Sequence, residues 1–150
     1  MDKRTEFNNA LKDAMKAGDQ TRVATLRLIN AALKDRDINA RGSGKEVGEA
    51  DILSMLQGMI KQRNESLKIF RENNREDLAA KEEAEIKIIE SFLPQQLDDA
   101  AVQKVIEGII ASTGAASIKD MGKVMGELKT KYAGQIDMAK AGAVIKQKLG

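Results

Sequence analysis

The chain has 150 residues, of which 42% are hydrophobic and 32% are charged, and its formal net charge is +2 at pH 7. This length fits one domain or two small domains. The absence of Cys and His excludes disulfides, thiolate zinc sites and every catalytic arrangement that depends on a thiol or an imidazole. With no Trp, one Tyr and three Phe, the chain also lacks the aromatic residues of a base-stacking platform.

No segment approaches the roughly 18 consecutive apolar residues that a membrane span requires. The first residues carry mixed charges and lack the apolar core of a signal peptide. The fragment Gly42-Ser43-Gly44-Lys45 is not a phosphate loop, because Glu46 stands where Ser or Thr would hold magnesium. We therefore expect a cytoplasmic protein with no membrane partner.

Apolar residues recur at helical spacing through the first part of the chain and predict four helices. The first helix is expected to end at Gly18, and Asp19 can cap the second. A polar stretch with several glycines, residues 39–48, predicts a mobile loop. The third helix is predicted over about 50–72 and the fourth over about 76–92.

The only proline of the chain, Pro94, predicts a domain boundary. It lacks an amide donor and restrains Leu93 away from helical geometry. Three shorter helices are predicted beyond it, with starts marked by capping side chains: Asp98 or Asp99, Ser117 with Asp120, and Asp137. The predicted fold is all-α, with a bundle of about four helices over 1–93 and a small three-helix domain over 94–150.

Positive charge is concentrated near the C-terminus. Residues 1–93 hold 17 basic and 17 acidic side chains, whereas residues 119–150 hold seven lysines and three carboxylates. Every arginine lies at or before Arg75. Lysine suits phosphate contact more than the reading of bases, which favours arginine. Charge alone favours a solvated helix face over an RNA-contacting surface, and both interpretations stay open.

Gly122 and Gly126 lie one helical turn apart in the segment Met121-Gly122-Lys123-Val124-Met125-Gly126. Each costs about 1 kcal/mol relative to Ala inside a helix, so a compensating interaction is expected. Another C-terminal helix could pack closely on this glycine face, or a ligand backbone could approach it beside Lys123. The two interpretations can coexist if the face is only partly covered.

Two cationic segments of the N-terminal part predict a structural network between helices. Arg27 stands among apolar residues, and a partly buried cation requires a carboxylate partner. Glu65 in the polar segment 61–66 and the acidic fourth helix offer such partners. We expect this network rather than a binding site.

No residue is assigned a catalytic role. Without His or Cys, acid–base chemistry would fall to Asp, Glu, Lys or Tyr132. No Glu-x-x-His signature of a bundle metal pair is present. We predict no metal ligand and no cofactor.

Five segments, in this order along nearly the whole chain, resemble the GatB/YqeY family and specifically its free-standing YqeY-like proteins. They are Lys16-Ala17-Gly18-Asp19 with Leu26-Arg27-Leu28-Ile29; Lys61-Gln62-Arg63-Asn64-Glu65-Ser66; Arg75-Glu76-Asp77-Leu78 with Lys81-Glu82; Leu93-Pro94-Gln95-Gln96-Leu97; and Met121-Gly122-Lys123-Val124-Met125-Gly126 with Tyr132-Ala133-Gly134 and Asp137. The other branch of the family is the C-terminal helical part of the B subunit of the tRNA-dependent amidotransferase. That enzyme amidates glutamate or aspartate mischarged on tRNA, using ammonia from glutamine.

The resemblance implies a two-part α fold and the family label of a carbon–nitrogen ligase with glutamine as amido-N donor. The catalytic portion of the B subunit has no counterpart in this chain, so the resemblance implies an accessory module that is not catalytic alone. The B-subunit tail is thought to engage the tRNA. The corresponding tRNA-binding positions here are Gly122, Lys123, Gly126, Lys129, Lys131 and Gly134, with Asp137 as a helix cap.

We therefore expect a tRNA-binding or amidotransferase-associated module, with no specificity for DNA. The alternative is a protein-interaction module that docks on the amidotransferase, a synthetase or another translation-linked partner. A deep pocket with converging carboxylates would instead indicate an enzyme.

Overall fold

The computed structural model describes residues 2–150, and within that range the chain is all-α, as predicted. The described residues form seven α-helices and one 3₁₀ turn, with no β-strand. They divide into two compact units, the first ending at Leu93 and the second spanning Pro94–Gly150. The division falls at the only proline of the chain.

Four helices make up the first unit: α1 (Lys3–Ala17), α2 (Gln20–Gly42), α3 (Glu49–Glu72) and α4 (Glu76–Glu90). Gly18 ends α1 with a left-handed backbone (φ 70°), which glycine adopts without steric cost. The Asp19 carboxylate accepts a hydrogen bond from the Arg22 amide at 3.1 Å and so caps α2, as predicted. The α4 helix ends two residues earlier than predicted, with Ser91 at its C-cap.

Aromatic and branched apolar side chains fill the core of the first unit. Phe7 and Phe92 meet edge to face with ring centroids 5.2 Å apart, and the Arg22 guanidinium lies 5.7 Å from the Phe92 ring centroid. Around them pack fully buried residues from α2, α3 and α4: Leu26, Ile29, Ile52, Leu56 and Ile89. The core therefore brings Phe7 near the start of the first unit into contact with Phe92 near its end.

The predicted loop over residues 39–48 is wrong at its start, because α2 continues to Gly42. Arg4 of α1 donates two hydrogen bonds to the Asp37 carboxylate, at 2.9 and 2.7 Å, and this pair holds the last turns of α2 against α1. The chain leaves the helix only at Ser43. The connection to α3 is therefore short, and Val47 within it packs against the core.

The second unit contains α5 (Asp99–Thr113), a 3₁₀ turn (Ile118–Asp120), α6 (Met121–Lys131) and α7 (Met138–Leu149). Asp98 caps α5 by accepting from the Ala101 amide at 2.7 Å, and Asp137 caps α7 by accepting from the Ala139 amide at 2.9 Å. The core consists of apolar residues from all three α-helices and the turn before α7: Val102, Ile106, Ile109, Val124, Leu128, Ile136, Ala141 and Ile145.

The capping box at Ser117 and Asp120 is present, but it opens the 3₁₀ turn rather than α6 itself. The Asp120 carboxylate accepts from the amides of Ala116 at 2.9 Å and Ser117 at 3.3 Å. Ile118, the apolar residue that directly follows Ser117, is 44% exposed. The tighter turn rotates this side chain away from the core that Val124 enters.

Candidate RNA-contacting surface

One side of α6 is buried and the other is open. Val124 and Leu128 are fully buried, whereas Gly122, Lys123 and Gly126 are exposed on the opposite side. A repeat of 3.6 residues per turn produces this separation, because residues 124 and 128 share one side of the helix while 122 and 126 share another. The predicted site therefore belongs to a solvent-facing helix surface.

The glycine face of α6, defined by Gly122 and Gly126, has no covering helix. No described atom lies within 4 Å of the place that a Cβ would take on either glycine, apart from their own helix backbone and chain neighbours. The packing interpretation of these two glycines is therefore wrong. The close approach between α6 and α7 occurs at Gly142, where an added Cβ would meet Met121 Cε at 3.5 Å.

The three lysines assigned to the site are exposed but differ in their surroundings. Lys129 has no carboxylate within 4 Å among the described residues. Lys123 Nζ lies 3.5 Å from the Thr113 carbonyl oxygen at the end of α5. Lys131 Nζ forms an ion pair with the Glu127 carboxylate at 3.0 Å, one turn back on the same helix. Lys123 and Lys131 lie on the side of α6 that faces α5.

Gly134 is placed differently from the other five assigned positions. It is buried and has a positive φ of 76°, and its carbonyl oxygen accepts a hydrogen bond from the Gln96 side-chain amide. Beside it, the Leu97 amide donates to the Gln135 carbonyl at 3.0 Å. Gly134 therefore shapes the turn between α6 and α7 and ties it to the start of the second unit.

A shallow groove of about 360 Å³ lies between α5 and the end of α6. Lys104, Gly108 and Ser112 line one wall at intervals of four residues along α5, and Lys131 with Tyr132 lines the other. Gly108 is exposed, and nothing lies within 4 Å of its Cβ position. The groove thus brings two ammonium groups from different helices to one site.

Lys104 and Gly108 were not among the residues predicted for the site. A recognisable signal was available, because α5, like α6, has a glycine inside the helix within about one turn of a lysine: Lys104 precedes Gly108 by four residues, and Lys123 precedes Gly126 by three. What the sequence did not indicate was that α5 and α6 lie side by side with these faces adjoining.

Most lysines of the second unit are unpaired. Among the described residues, only Lys131 and Lys148 of its eight lysines form ion pairs. The Lys148 ammonium group lies 2.8 Å from the Glu107 carboxylate, and this hydrogen bond lowers the pKa of Glu107. The unpaired lysines are Lys104, Lys119, Lys123, Lys129, Lys140 and Lys146. The unit also contains six carboxylates, so its eight lysines leave a net charge of +2, and six of these lysines form no ion pair in the described structure.

The inter-helix network of the first unit forms through a different cation from the one expected. Arg63 of α3 pairs with Glu85 of α4 at 3.0 Å, and both side chains are largely buried, at 15% and 12% exposure. Arg27 is exposed on α2 and has no carboxylate within 4 Å among the described residues. The predicted role of Arg27 is therefore wrong, and Glu65 forms no ion pair among the described residues. The network instead uses Arg63 of segment 61–66, and the predicted carboxylate contribution of the fourth helix is confirmed by Glu85.

Within residues 2–150, no three Asp or Glu side chains are grouped so that they could hold a metal ion. The groove between α5 and α6 is not lined by a carboxylate.

No helix among the described residues has the length and apolar character needed to cross a lipid bilayer.

The chain resembles known proteins along most of its length. The model of the family described as Yqey-like protein matches residues 4–149. Three yeast proteins named "Altered inheritance of mitochondria protein 41, mitochondrial" are each 32% identical to it: over 118 residues in Vanderwaltozyma polyspora (74% of this chain, 62% of the relative), over 127 in Saccharomyces cerevisiae (81% and 67%) and over 126 in Lachancea thermotolerans (80% and 66%).

The chain thus spans about two thirds of the length of these curated relatives. Their names place the relatives in mitochondria, so the cytoplasmic location expected for this chain stays a prediction. The match of the family model over residues 4–149 agrees with the five segments quoted from the sequence. The chain belongs to the YqeY-like protein family.

Proposed function

We propose that the chain binds RNA of the tRNA class through its second unit, with lysines of α6 and α5 contacting backbone phosphates. The observation that carries this proposal is the open glycine face of α6. Gly122 and Gly126 lack a packing partner in the described structure, yet they weaken the helix that contains them. A face that costs stability and is left uncovered suits a ligand that approaches the helix backbone closely.

The cations around this face suit a phosphate backbone. Lys123 and Lys129 lie within about one turn of Gly126 along α6. Lys131 and Lys104 line the groove between α6 and α5. Lysine ammonium groups contact phosphates without the bidentate geometry through which arginine reads guanine. The surface therefore supports binding with little preference for base sequence.

The resemblance to the tail of the amidotransferase B subunit supports tRNA as the RNA in question. It also supports an accessory role, in which the chain presents or retains tRNA while another protein performs amide transfer. We assign the carbon–nitrogen ligase activity named by the family label to that other protein, and not to a site in this chain.

Binding of labelled tRNA, followed by fluorescence anisotropy across a salt series, tests the proposal. We expect log Kobs to fall linearly with log salt, with a slope of about −0.7 to −0.9 for each phosphate contacted. Unrelated RNA and duplex DNA serve as competitors, and tRNA is expected to be the strongest. No binding at 50 mM salt would contradict the proposal.

The triple variant Lys123→Glu, Lys129→Glu, Lys131→Glu is expected to weaken tRNA binding at least tenfold. A matched control is Lys12→Glu, Lys68→Glu, Lys87→Glu, since these lysines are exposed, lie in the first unit and form no ion pair in the described structure. Both variants change the net charge equally. Equal losses of affinity would show that overall charge, and not the α6 surface, governs binding.

A further inference from the structure

The α2 helix carries a second apolar stripe on the side opposite its buried face. Its buried residues are Leu26, Ile29 and Leu33. The stripe consists of exposed apolar residues separated by four, three and seven positions: Ala24, Leu28, Ala31 and Ile38. Leu28 is 44% exposed and Ile38 is 54% exposed. This is the heptad spacing with which one helix presents a seam to another.

Three cations run along one edge of this stripe. Arg27, Lys34 and Arg41 recur every seven residues, so they share nearly the same side of α2. All three are exposed, and none has a carboxylate within 4 Å among the described residues. Cations at such flanking positions select the charge of a partner helix. One acidic residue, Asp35, interrupts the stripe at the seam position between Ala31 and Ile38, so this side of α2 carries three cations and one carboxylate.

The first turns of the stripe adjoin a groove of about 290 Å³ between α1 and α2. Met15 of α1 forms one wall, and Val23 and Ala24 of α2 form the other, with Arg27 at the edge. Met15 is 54% exposed although it follows the apolar pattern of α1. The groove and the stripe share Ala24, so they form one continuous surface.

We propose that this surface, the α2 face (Met15, Ala24, Leu28, Ala31 and Ile38 with the cations Arg27, Lys34 and Arg41), docks an amphipathic helix of an acidic protein partner. Apolar residues of that helix would pack along the stripe, and one large side chain would enter the groove at Met15. Its carboxylates would lie against the three cations. The small side chains of Ala24 and Ala31 allow the two helix backbones to approach closely.

The charges and the apolar stripe together favour this occupant over two others. An RNA backbone would use the cations but would leave Leu28, Ile38 and the apolar groove unused. A second copy of the chain would bring an α2 face with three cations and one carboxylate, so like charges would meet across the seam. An acidic helix satisfies both the stripe and the cations.

A synthetic helical peptide of 21 residues tests the proposal on the full chain. The acidic probe carries Leu at the heptad a and d positions and Glu at e and g, and its twin carries Lys in place of Glu. Titration followed by ¹H–¹⁵N NMR is expected to shift amide signals of α2 and the end of α1. The acidic probe is expected to bind at least tenfold more tightly than its twin.

Three variants make the test specific. Ile38→Glu places a charge in the stripe at an exposed position and is expected to reduce binding at least tenfold without unfolding α2. Arg27→Glu, Lys34→Glu, Arg41→Glu is expected to reverse the preference, so that the lysine twin binds better. The control Lys12→Glu, Lys68→Glu, Lys87→Glu is expected to keep the preference for the acidic probe.

The proposal would be overturned if the acidic probe did not bind at 0.5 mM, or if both probes bound equally. Displacement of the probe by tRNA would instead indicate RNA as the occupant of the α2 face. Self-association of the chain that Ile38→Glu abolishes would indicate a second copy. The result is independent of the proposed RNA function. The triple substitution at Lys123, Lys129 and Lys131 is expected to leave peptide binding unchanged, so each proposal can fail alone.

Discussion

The Asp120 carboxylate organises the turn that joins α5 to α6. It accepts hydrogen bonds from the amides of Ala116 and Ser117, and these bonds, aided by the positive charge of Lys123, lower the pKa of Asp120. Both donors favour the ionised carboxylate over the protonated acid. The turn that presents Gly122 and Lys123 is therefore held by a charge-dependent contact.

Replacement Asp120→Asn is expected to lower the free energy of unfolding at neutral pH. A carboxylate with a depressed folded-state pKa stabilises the fold above its unfolded-state pKa, and this contribution is lost as pH falls through the folded-state value. The difference between wild type and variant should therefore shrink below about pH 4. Urea unfolding at pH 7, 5 and 3 measures it, and a constant difference would show that the charge is not involved.

Single residues were predictable from sequence where their interactions are local. The caps at Asp19, Asp98 and Asp137 follow from hydrogen bonds to amides two or three residues away. The ion pair of Arg63 with Glu85 joins residues 22 positions apart, and its formation depends on how α3 and α4 are rotated against each other. The spacing of apolar residues does not determine how neighbouring helices are rotated against each other. For the same reason, Arg27 was expected to face another helix, whereas it is exposed.

At the scale of elements, α6 stands out as a helix weakened on its exposed side. The α3 helix offers a comparison, because Gly58 is also exposed and nothing lies within 4 Å of its Cβ position. Gly58 belongs to the first unit, away from the lysines of α6 in the chain. Substitutions of an exposed glycine in α3 and in α6 can therefore be compared, which distinguishes the effect of glycine on helix stability from its effect on a binding surface.

Gly126→Ala is expected to raise the free energy of unfolding by up to about 1 kcal/mol, because Ala has the higher helix propensity and the added methyl meets no atom. The same variant is expected to weaken tRNA binding several-fold, since the methyl occupies the open face. Gly58→Ala is expected to give a comparable gain in stability with unchanged binding. Thermal unfolding and tRNA anisotropy measure the two effects, and unchanged affinity in Gly126→Ala would remove the glycine face from the site.

The seven α-helices were predictable, whereas the end of α2, the end of α4 and the 3₁₀ turn before α6 were not. Apolar spacing and capping residues located all seven α-helices. The end of α2 was missed because residues 39–42 are polar and carry no apolar period, whereas the helix continues through them, past the contact of Asp37 with the distant Arg4. The 3₁₀ turn at Ile118 was missed because a capping box marks a helical start without specifying how tightly it is wound.

At the scale of the whole molecule, the two compact units carry the two proposed surfaces separately. The α2 face lies in the first unit, which ends at Leu93, and the open face of α6 lies in Pro94–Gly150. Each unit has a core formed by its own helices. The proposed RNA contact and the proposed protein docking therefore fall on different compact units.

A fragment spanning 94–150 is expected to be helical by circular dichroism and to bind tRNA within about threefold of the full chain, with a salt slope that reports the same phosphate contacts. Its short length limits the surface it can bury, so a low unfolding temperature is expected. The fragment 1–93 is expected to be helical and not to bind tRNA. Loss of binding by a folded 94–150 fragment would show that the first unit supplies part of the RNA surface.

Tyr132 gives the molecule an optical property of its own. It is the only tyrosine in a chain without tryptophan, and it lines the groove between α5 and α6. The ultraviolet emission of the protein therefore originates almost entirely from one position beside Lys131. An occupant of that groove would alter this emission in the unlabelled, unmodified protein, whereas events on the α2 face would leave it unchanged.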